Sequence, residues 1–372
     1  MAEAPKEVTE VHRSSRDPNA LRDTLQAWLA TQLPAGANPS ISELTGTSAT
    51  GMSSETLLFD ATWTEGGEAT TRSLVARLAP DPVDVPVFPT YAMQKQFDII
   101  GYVGEHSEVP VPKVLWCEPT GEALGAAAFV MEKVDGVVPP DVMPYVFGGN
   151  WLYDASPEDQ RRLQDSVVDV LAGLHALDTT DLGFLEYDEA GDTPLRRHVA
   201  NRRSWYEYAT GGKYTSPLID RGFAWLDAHW PAEESPVVLA WGDSRIGNML
   251  FRDFEPVAVL DWEMVGLGPR ELDLGWLVYM HAVFQGFGER AGLPGMPDYL
   301  QRADVVKRYE EITGYTPRDM DFFETYAALQ MGIVGLITGR RMVHFGEREM
   351  PDDIDDLLMN RPQLEQLLDA TS

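Results

Sequence analysis

Two hydrophobic periodicities divide this chain, and their order is the strongest constraint on its fold. Up to residue 135 the apolar residues come mostly in short strand-like runs broken by glycine and proline; beyond it they recur at helical spacing over long stretches. Residues 57–63 and 73–78 read as a hairpin around Glu65-Gly66-Gly67, and 126–134 as a buried strand. Ahead of them, Asp17-Pro18 opens a helix whose apolar face is Leu21, Leu25, Trp28, Leu29 and Leu33, and residues 91–103 suggest a second helix. Behind them, Ser156-Pro157-Glu158-Asp159 starts a helix carrying Leu163, Val167, Val170, Leu171 and Leu174 on one face. Three short strands, Val237–Ala240, Met249–Arg252 and 257–260, interrupt the helical pattern. The division expected is a tail and helix over 1–36, a strand-rich unit over 37–135 and a helical unit over 136–372.

Composition removes several function classes. A single cysteine, Cys117, can make neither an internal disulfide nor a thiolate zinc site, and the seven histidines contain no HExxH. A net charge of −30 repels phosphate backbones and anionic lipid, so neither nucleic acid nor membrane is an expected partner. No stretch approaches a spanning length of about 18 apolar residues, and the start MAEAPKEVTEVHRSSRD carries no apolar signal region. A cytoplasmic location is the expectation.

The densest polar cluster is Trp241-Gly242-Asp243-Ser244-Arg245-Ile246-Gly247-Asn248, followed by Leu260-Asp261-Trp262-Glu263. Strand ends and a tight hairpin can bring Asp243, Asn248 and Asp261 to one mouth. Two carboxylates and an amide suit Mg²⁺, which prefers carboxylates together with phosphate oxygens. Phosphoryl transfer needs that metal and a base for the attacking hydroxyl. Singly, each residue reads more simply as a turn or capping side chain.

The pattern GDxxxxN, then LDWE, then Leu272-Asp273-Leu274-Gly275-Trp276, resembles the aminoglycoside phosphotransferase family of kinase-like enzymes. The resemblance implies an α+β, two-lobed protein-kinase-like fold: a small nucleotide-binding lobe with an antiparallel sheet and a large, mainly helical catalytic lobe. It implies ATP, or GTP, as donor, Mg²⁺ as metal and a small-molecule hydroxyl as acceptor. By the same resemblance Asp243 is the catalytic base and Asn248 and Asp261 are the metal ligands. Gly46, Thr47, Ser48, Gly51 and Ser53 stand in the loop covering the nucleotide. Arg77 pairs the phosphates, and the backbone of Met131, Glu132 and Lys133 contacts the adenine. Three positions depart from the family pattern. Trp241 precedes Gly-Asp where the family usually has His; Arg77 replaces the usual Lys; and Gln96, with Asp98 two residues on, stands where its glutamate partner belongs. These departures motivate an alternative, a catalytically impaired nucleotide-binding or scaffold protein.

Competing motifs fail on one residue each. Met52 occupies the lysine position of a near Walker A loop, and Ile246 spoils a G-x-S-x-G. His175 reads as a packed helix-end histidine, and Asp273 as a hydrogen-bonding support for the catalytic loop. Trp205, Tyr206, Tyr208 and Tyr214 could line an acceptor pocket or pack the core. Arg196, Arg197, Arg202 and Arg203 read either as solvated helix charges or as a welcome for an anionic acceptor such as a hydroxylated acyl-CoA. Asp352, Asp353, Asp355 and Asp356 read as a solvated helix start.

Overall fold

Helix α1 (Pro18–Gln32) begins where Asp17 accepts from the Asn19 amide at 2.9 Å and Pro18 supplies a first-turn residue that has no N–H to lose. The structure, a computed structural model, describes residues 16–46 and 54–370. Strands β1 (Ser40–Ile41), β2 (Thr45–Gly46), β3 (Glu55–Glu65) and β4 (Glu68–Leu78) follow. Gly66 and Gly67, at φ +61° and +91°, make the two-residue turn between β3 and β4, a left-handed pair that matches the twist of a hairpin. Helix α2 (Met93–His106) separates them from β5 (Val114–Glu118) and β6 (Ala128–Glu132). The resulting sheet is six-stranded, ordered β1-β3-β4-β6-β5 with β2 also on β3; β1, β2 and β4 pair antiparallel with β3, and β6 pairs antiparallel with β4. Alternate residues of β3 (Leu57, Phe59, Ala61, Trp63) and Leu74, Ala76 and Leu78 of β4 pack with the apolar face of α1.

The remaining elements are α3 (Pro157–His175), α4 (Pro194–Thr210), α5 (Pro217–Ala228), β7 (Val237–Ala240), β8 (Met249–Arg252), β9 (Glu255–Val259), β10 (Gly266–Pro269), α6 (Glu271–Arg290), α7 (Arg302–Thr313), α8 (Met320–His344) and α9 (Arg361–Ala370). Ser156, Thr193 and Ser216 cap α3, α4 and α5 through their hydroxyls, each with proline at the next position. Strand β10 pairs with β7, and β8 with β9, as two separate ribbons. Helices α6 and α8 are buried along most of their length and pack on each other, α8 also against α4, α5 and α9. The α+β reading stands, with an antiparallel sheet in the N-terminal part of the chain and mainly helices in the rest.

The chain forms two compact units: Met1–Pro86 with Leu115–Lys133, and Val87–Val114 with Val134–Ser372. The expected unit over 37–135 is thus interrupted, because 87–114 packs with the helical part. The Trp205 indole donates to the Val87 carbonyl at 2.8 Å, the Val259 amide to the Pro110 carbonyl at 2.8 Å, and the Tyr102 hydroxyl to the Asp178 carbonyl at 2.8 Å. One aspartate of the C-terminal acidic group is also not solvated: Asp355 is buried, accepting from the Ser216 hydroxyl and from the Leu218 amide at 3.1 Å.

Candidate active site

The loop after β7 is hung from one buried carboxylate. Asp273, in the first turn of α6, accepts from the Trp241 amide at 2.8 Å and the Gly242 amide at 2.7 Å, and its backbone carbonyl accepts from the Ser244 hydroxyl at 2.7 Å. His175 approaches the same carboxylate at 3.1 Å through Nε2, while its Nδ1 meets the Tyr309 hydroxyl at 2.9 Å. Gly242 has φ +91°, and a Cβ there would lie 2.2 Å from the Met264 carbonyl oxygen, so the chain passes at a distance only glycine permits.

This support aims Asp243. Its side chain is 16% exposed, and three donors converge on the carboxylate: the Trp276 indole at 2.7 Å on Oδ1, the Asn248 amide at 2.6 Å on Oδ2, and Arg245 Nε at 3.2 Å from Oδ1. Burial pushes the Asp243 pKa up, the Arg245 charge opposes it, and Asp261 pushes it further up. Arg245 also pairs through Nη1 with Asp141, whose other oxygen, Oδ1, is buried with no hydrogen-bond partner among the described residues.

The segments that carry Asn248 and Asp261 are brought together by hydrogen bonds to backbone. The Leu260 amide donates to the Asn248 carbonyl at 2.9 Å, and the Trp241 indole donates to the Leu260 carbonyl at 3.0 Å. Trp241, where a histidine was expected, therefore keeps a tie to the segment that carries Asp261. Asp261 itself is left-handed, φ +61° and ψ +66°, a conformation that costs a non-glycine residue about 1 kcal/mol or more. The Asn248 NH₂ group is turned onto Asp243, and among the described residues its amide oxygen accepts no side-chain or backbone hydrogen bond. An amide oxygen beside a carboxylate fits a Mg²⁺ ion whose remaining ligands are phosphate oxygens and water. Among the described residues no group of three His, Cys, Asp or Glu side chains forms a protein-only cage.

The other sequence-derived positions lie as follows. Gly46 ends β2, paired opposite Leu57; Thr47, Ser48, Gly51 and Ser53 fall outside the described residues. Arg77 lies on β4 and donates to the Thr56 hydroxyl at 3.0 Å. Met131 is buried on β6, Glu132 stands 3.5 Å from Arg72, and the Lys133 amide is committed to the Ser73 carbonyl at 3.0 Å. Gln96 is buried in α2, and Asp98 accepts from Gln94. Trp205 and Tyr206 are core residues.

Residues 60–309 match the sequence pattern of the phosphotransferase enzyme family, two-thirds of the chain. The chain belongs to that family. Among solved structures, a Ralstonia eutropha chain assigned to the aminoglycoside phosphotransferases superposes with a TM-score of 0.65 at 22% identity, covering 93% of this chain and 97% of its own. A thermostable mutant of aminoglycoside phosphotransferase APH(4)-Ia gives 0.55 at 15% identity, covering 94% and 99%. Macrolide 2'-phosphotransferase MphH from Brachybacterium faecium gives 0.52 at 18%, covering 91% and 98%. At these identities the likeness establishes the kinase-like fold. Among curated proteins, "Probable acyl-CoA dehydrogenase IBR3" of Arabidopsis thaliana is 27% identical over 56% of this chain, and acyl-CoA dehydrogenase family member 11 of Rattus norvegicus 28% over 50%. The matches cover only 27% and 22% of those proteins' own lengths.

Three residues of this candidate site were given no role by the sequence reading. Trp276 was legible, three residues after Asp273 and hence on the same helix face. Arg245 sits two residues from Asp243. Asp141 comes 104 residues before Arg245, in a proline- and glycine-rich stretch with no local signal.

Proposed function

We propose that this chain transfers the γ-phosphoryl group of ATP, or of GTP, to a hydroxyl of a small non-antibiotic metabolite, with a hydroxylated acyl-CoA among the acceptors to be screened. The observation that carries the reading is the convergence of Trp276, Asn248 and Arg245 on the carboxylate of Asp243, within a loop fixed by Asp273. A carboxylate held by two neutral donors and one cation is fixed in direction, as a base must be. Asp243 would accept the acceptor's hydroxyl proton as that oxygen bonds to phosphorus and the bond to the nucleoside diphosphate breaks. Mg²⁺, held by the Asn248 amide oxygen and Asp261, would supply charge neutralisation at the phosphates when bound. Arg77, Gly46, Thr47, Ser48, Gly51, Ser53 and the backbone of Met131 and Glu132 are the proposed nucleotide contacts; because the Lys133 amide is spent on β4, its part would fall to the carbonyl.

The test pairs binding with turnover. Calorimetry with ATP and GTP, each with and without Mg²⁺, should show metal-strengthened binding of at least one nucleotide. Asp243→Asn should then cut turnover about a thousandfold with nucleotide affinity kept. Arg245→Gln removes the cation that holds the Asp243 pKa down, so the acidic limb of the rate profile should move to higher pH. Nucleotide binding indifferent to Mg²⁺, with no turnover, would transfer the assignment to an impaired nucleotide-binding protein. An active Asp243→Asn would remove Asp243 as the base.

A further inference from the structure

The stretch between β6 and α3 turns a charge inward where apolar side chains were at hand. Val142 and Met143 are 65% and 68% exposed, yet the carboxylate of Asp141 beside them is only 17% exposed. Burying the valine would have stabilised the turn, whereas burying a carboxylate costs desolvation that only its partner offsets. The segment is fixed on both sides of Asp141. Val137 and Phe251 of β8 exchange backbone hydrogen bonds at 2.9 and 2.8 Å, and the Trp151 indole donates to the Val138 carbonyl at 3.3 Å. The Tyr145 amide donates to the Pro140 carbonyl at 2.8 Å, and the Tyr145 ring is buried with its hydroxyl 2.8 Å from His281 Nδ1. Asp141 therefore meets Arg245 from a rigid support.

The loop after β7 leaves room for that meeting at Gly247. A Cβ there would stand 2.5 and 2.6 Å from the two Asp141 oxygens and 2.5 Å from Arg245 Nη1, so any side chain at 247 pushes the pair apart. A carboxylate such as Asp243 offers about four lone-pair sites. Trp276 takes one on Oδ1 and Asn248 one on Oδ2, and Arg245 Nε takes a third, lying 3.2 Å from Oδ1 and 3.4 Å from Oδ2. One site is left for the hydroxyl of an acceptor. A guanidinium facing a lone carboxylate ordinarily closes on it with two parallel N–H groups at about 2.7–2.9 Å, and that second N–H would fill the last site. Here a single N–H reaches Asp243, and Nη1 is turned to Asp141.

We propose that Asp141 is a positioning residue. By holding Nη1 of Arg245 it confines the guanidinium to one N–H on Asp243, and so keeps open the lone pair that takes the acceptor's proton. Asp141 touches no reacting atom and acts through Arg245. Without its carboxylate, Arg245 turns onto both oxygens of Asp243, and the base is covered rather than lost. What the open lone pair is used for rests on the phosphotransferase reading; the posture of Arg245 does not.

Two readouts separate these. Basal hydrolysis of Mg·ATP, with water in the acceptor's place, reports the base. The indole N–H resonance of Trp276, assigned with Trp276→Phe, reports the Asp243 carboxylate without turnover. Asp141→Asn keeps the shape of the side chain and removes its charge. It should slow hydrolysis about tenfold at unchanged ATP affinity and shift the Trp276 resonance. Added to Arg245→Gln, the same substitution should change neither quantity, because no guanidinium remains to close on the base. Asp141→Glu, which keeps a carboxylate, should recover part of the loss. Should Asp141→Asn not fold, Gly247→Ala crowds the same carboxylate with both charges in place, and its loss should likewise disappear beside Arg245→Gln. Wild-type rate and resonance in Asp141→Asn overturn the proposal. So do losses that persist undiminished beside Arg245→Gln, which would make Asp141 a plain structural support. A wild-type chain that hydrolyses no ATP counts against the phosphotransferase reading alone, and the Trp276 resonance then decides. If Asp141→Asn moves it only while Arg245 is present, the positioning role holds; if the resonance is unmoved, the role falls.

Discussion

The β3–β4 hairpin and the loop that carries Asp243 are both tight turns through positive-φ glycines, yet they are held in opposite ways. The hairpin runs eleven paired positions on each strand, so its shape is shared among many equivalent backbone bonds. The 241–248 loop hangs on a few unique ones, chiefly the two oxygens of Asp273. Redundant support tolerates substitution; singular support concentrates it.

Glycine gives the sharpest contrast. Gly66 has nothing within 4 Å of the Cβ position, so Gly66→Ala should cost only left-handed strain, about 1 kcal/mol by denaturant titration. Gly242→Ala adds a collision with the Met264 carbonyl and should cost more than about 3 kcal/mol. Equal losses would show that the loop is as compliant as the hairpin. Next in size, Asp273→Asn replaces one acceptor oxygen by an NH₂ facing backbone amides. A loss of about 2–3 kcal/mol is expected, with turnover falling further than stability explains because Asp243 loses its aim. By comparison, Thr71→Ala, which removes an exposed cross-strand hydroxyl contact on the hairpin, should stay within about 0.5 kcal/mol.

A further test is pH. His281 is buried, and its pKa is depressed from 6.5 to about 4, mainly by burial. Its neutral form is the folded one, so its contribution is complete above pH 6.5 and declines as pH falls toward 4, by at most about 1.4 kcal/mol per pH unit. The Tyr145 hydroxyl contacts Nδ1 at 2.8 Å and the Met296 carbonyl accepts from Nε2 at 3.1 Å, a shape glutamine can partly mimic. His281→Gln should therefore flatten acid destabilisation of the helical unit while leaving the hairpin unit's profile as it was.

The same contrast explains what could be read from the chain in advance. The hairpin and helices α1, α2 and α3 were legible because their determinants are local: alternation, caps such as Ser156, and the Gly66-Gly67 turn, whereas α4 and α5 lie in a stretch that read only as mixed and aromatic-rich. The arrangement of Asp243, Asn248 and Asp261 was legible because glycine, strand ends and close spacing confine them. Strand β10 was not, since Gly266, Gly268 and Pro269 carry no strand preference and pair only because β7 lies beside them. Arg202 was grouped with its solvated neighbours, for nothing in α4 alone tells a buried arginine from an exposed one. Asp141, Asp355 and the 87–114 segment depend on partners far along the chain, where periodicity carries no information.

The cap on α5 has a consequence for how the chain is made. Ser216 reaches its partner Asp355 only across a sequence separation of 139. At a synthesis rate of about 5–20 residues per second, α5 would leave the ribosome on the order of ten seconds before that carboxylate exists. Until then the first turn of α5 lacks its buried anion, so the nascent helical unit should remain open to proteases and chaperones at that point, closing late and as a whole when residue 355 arrives.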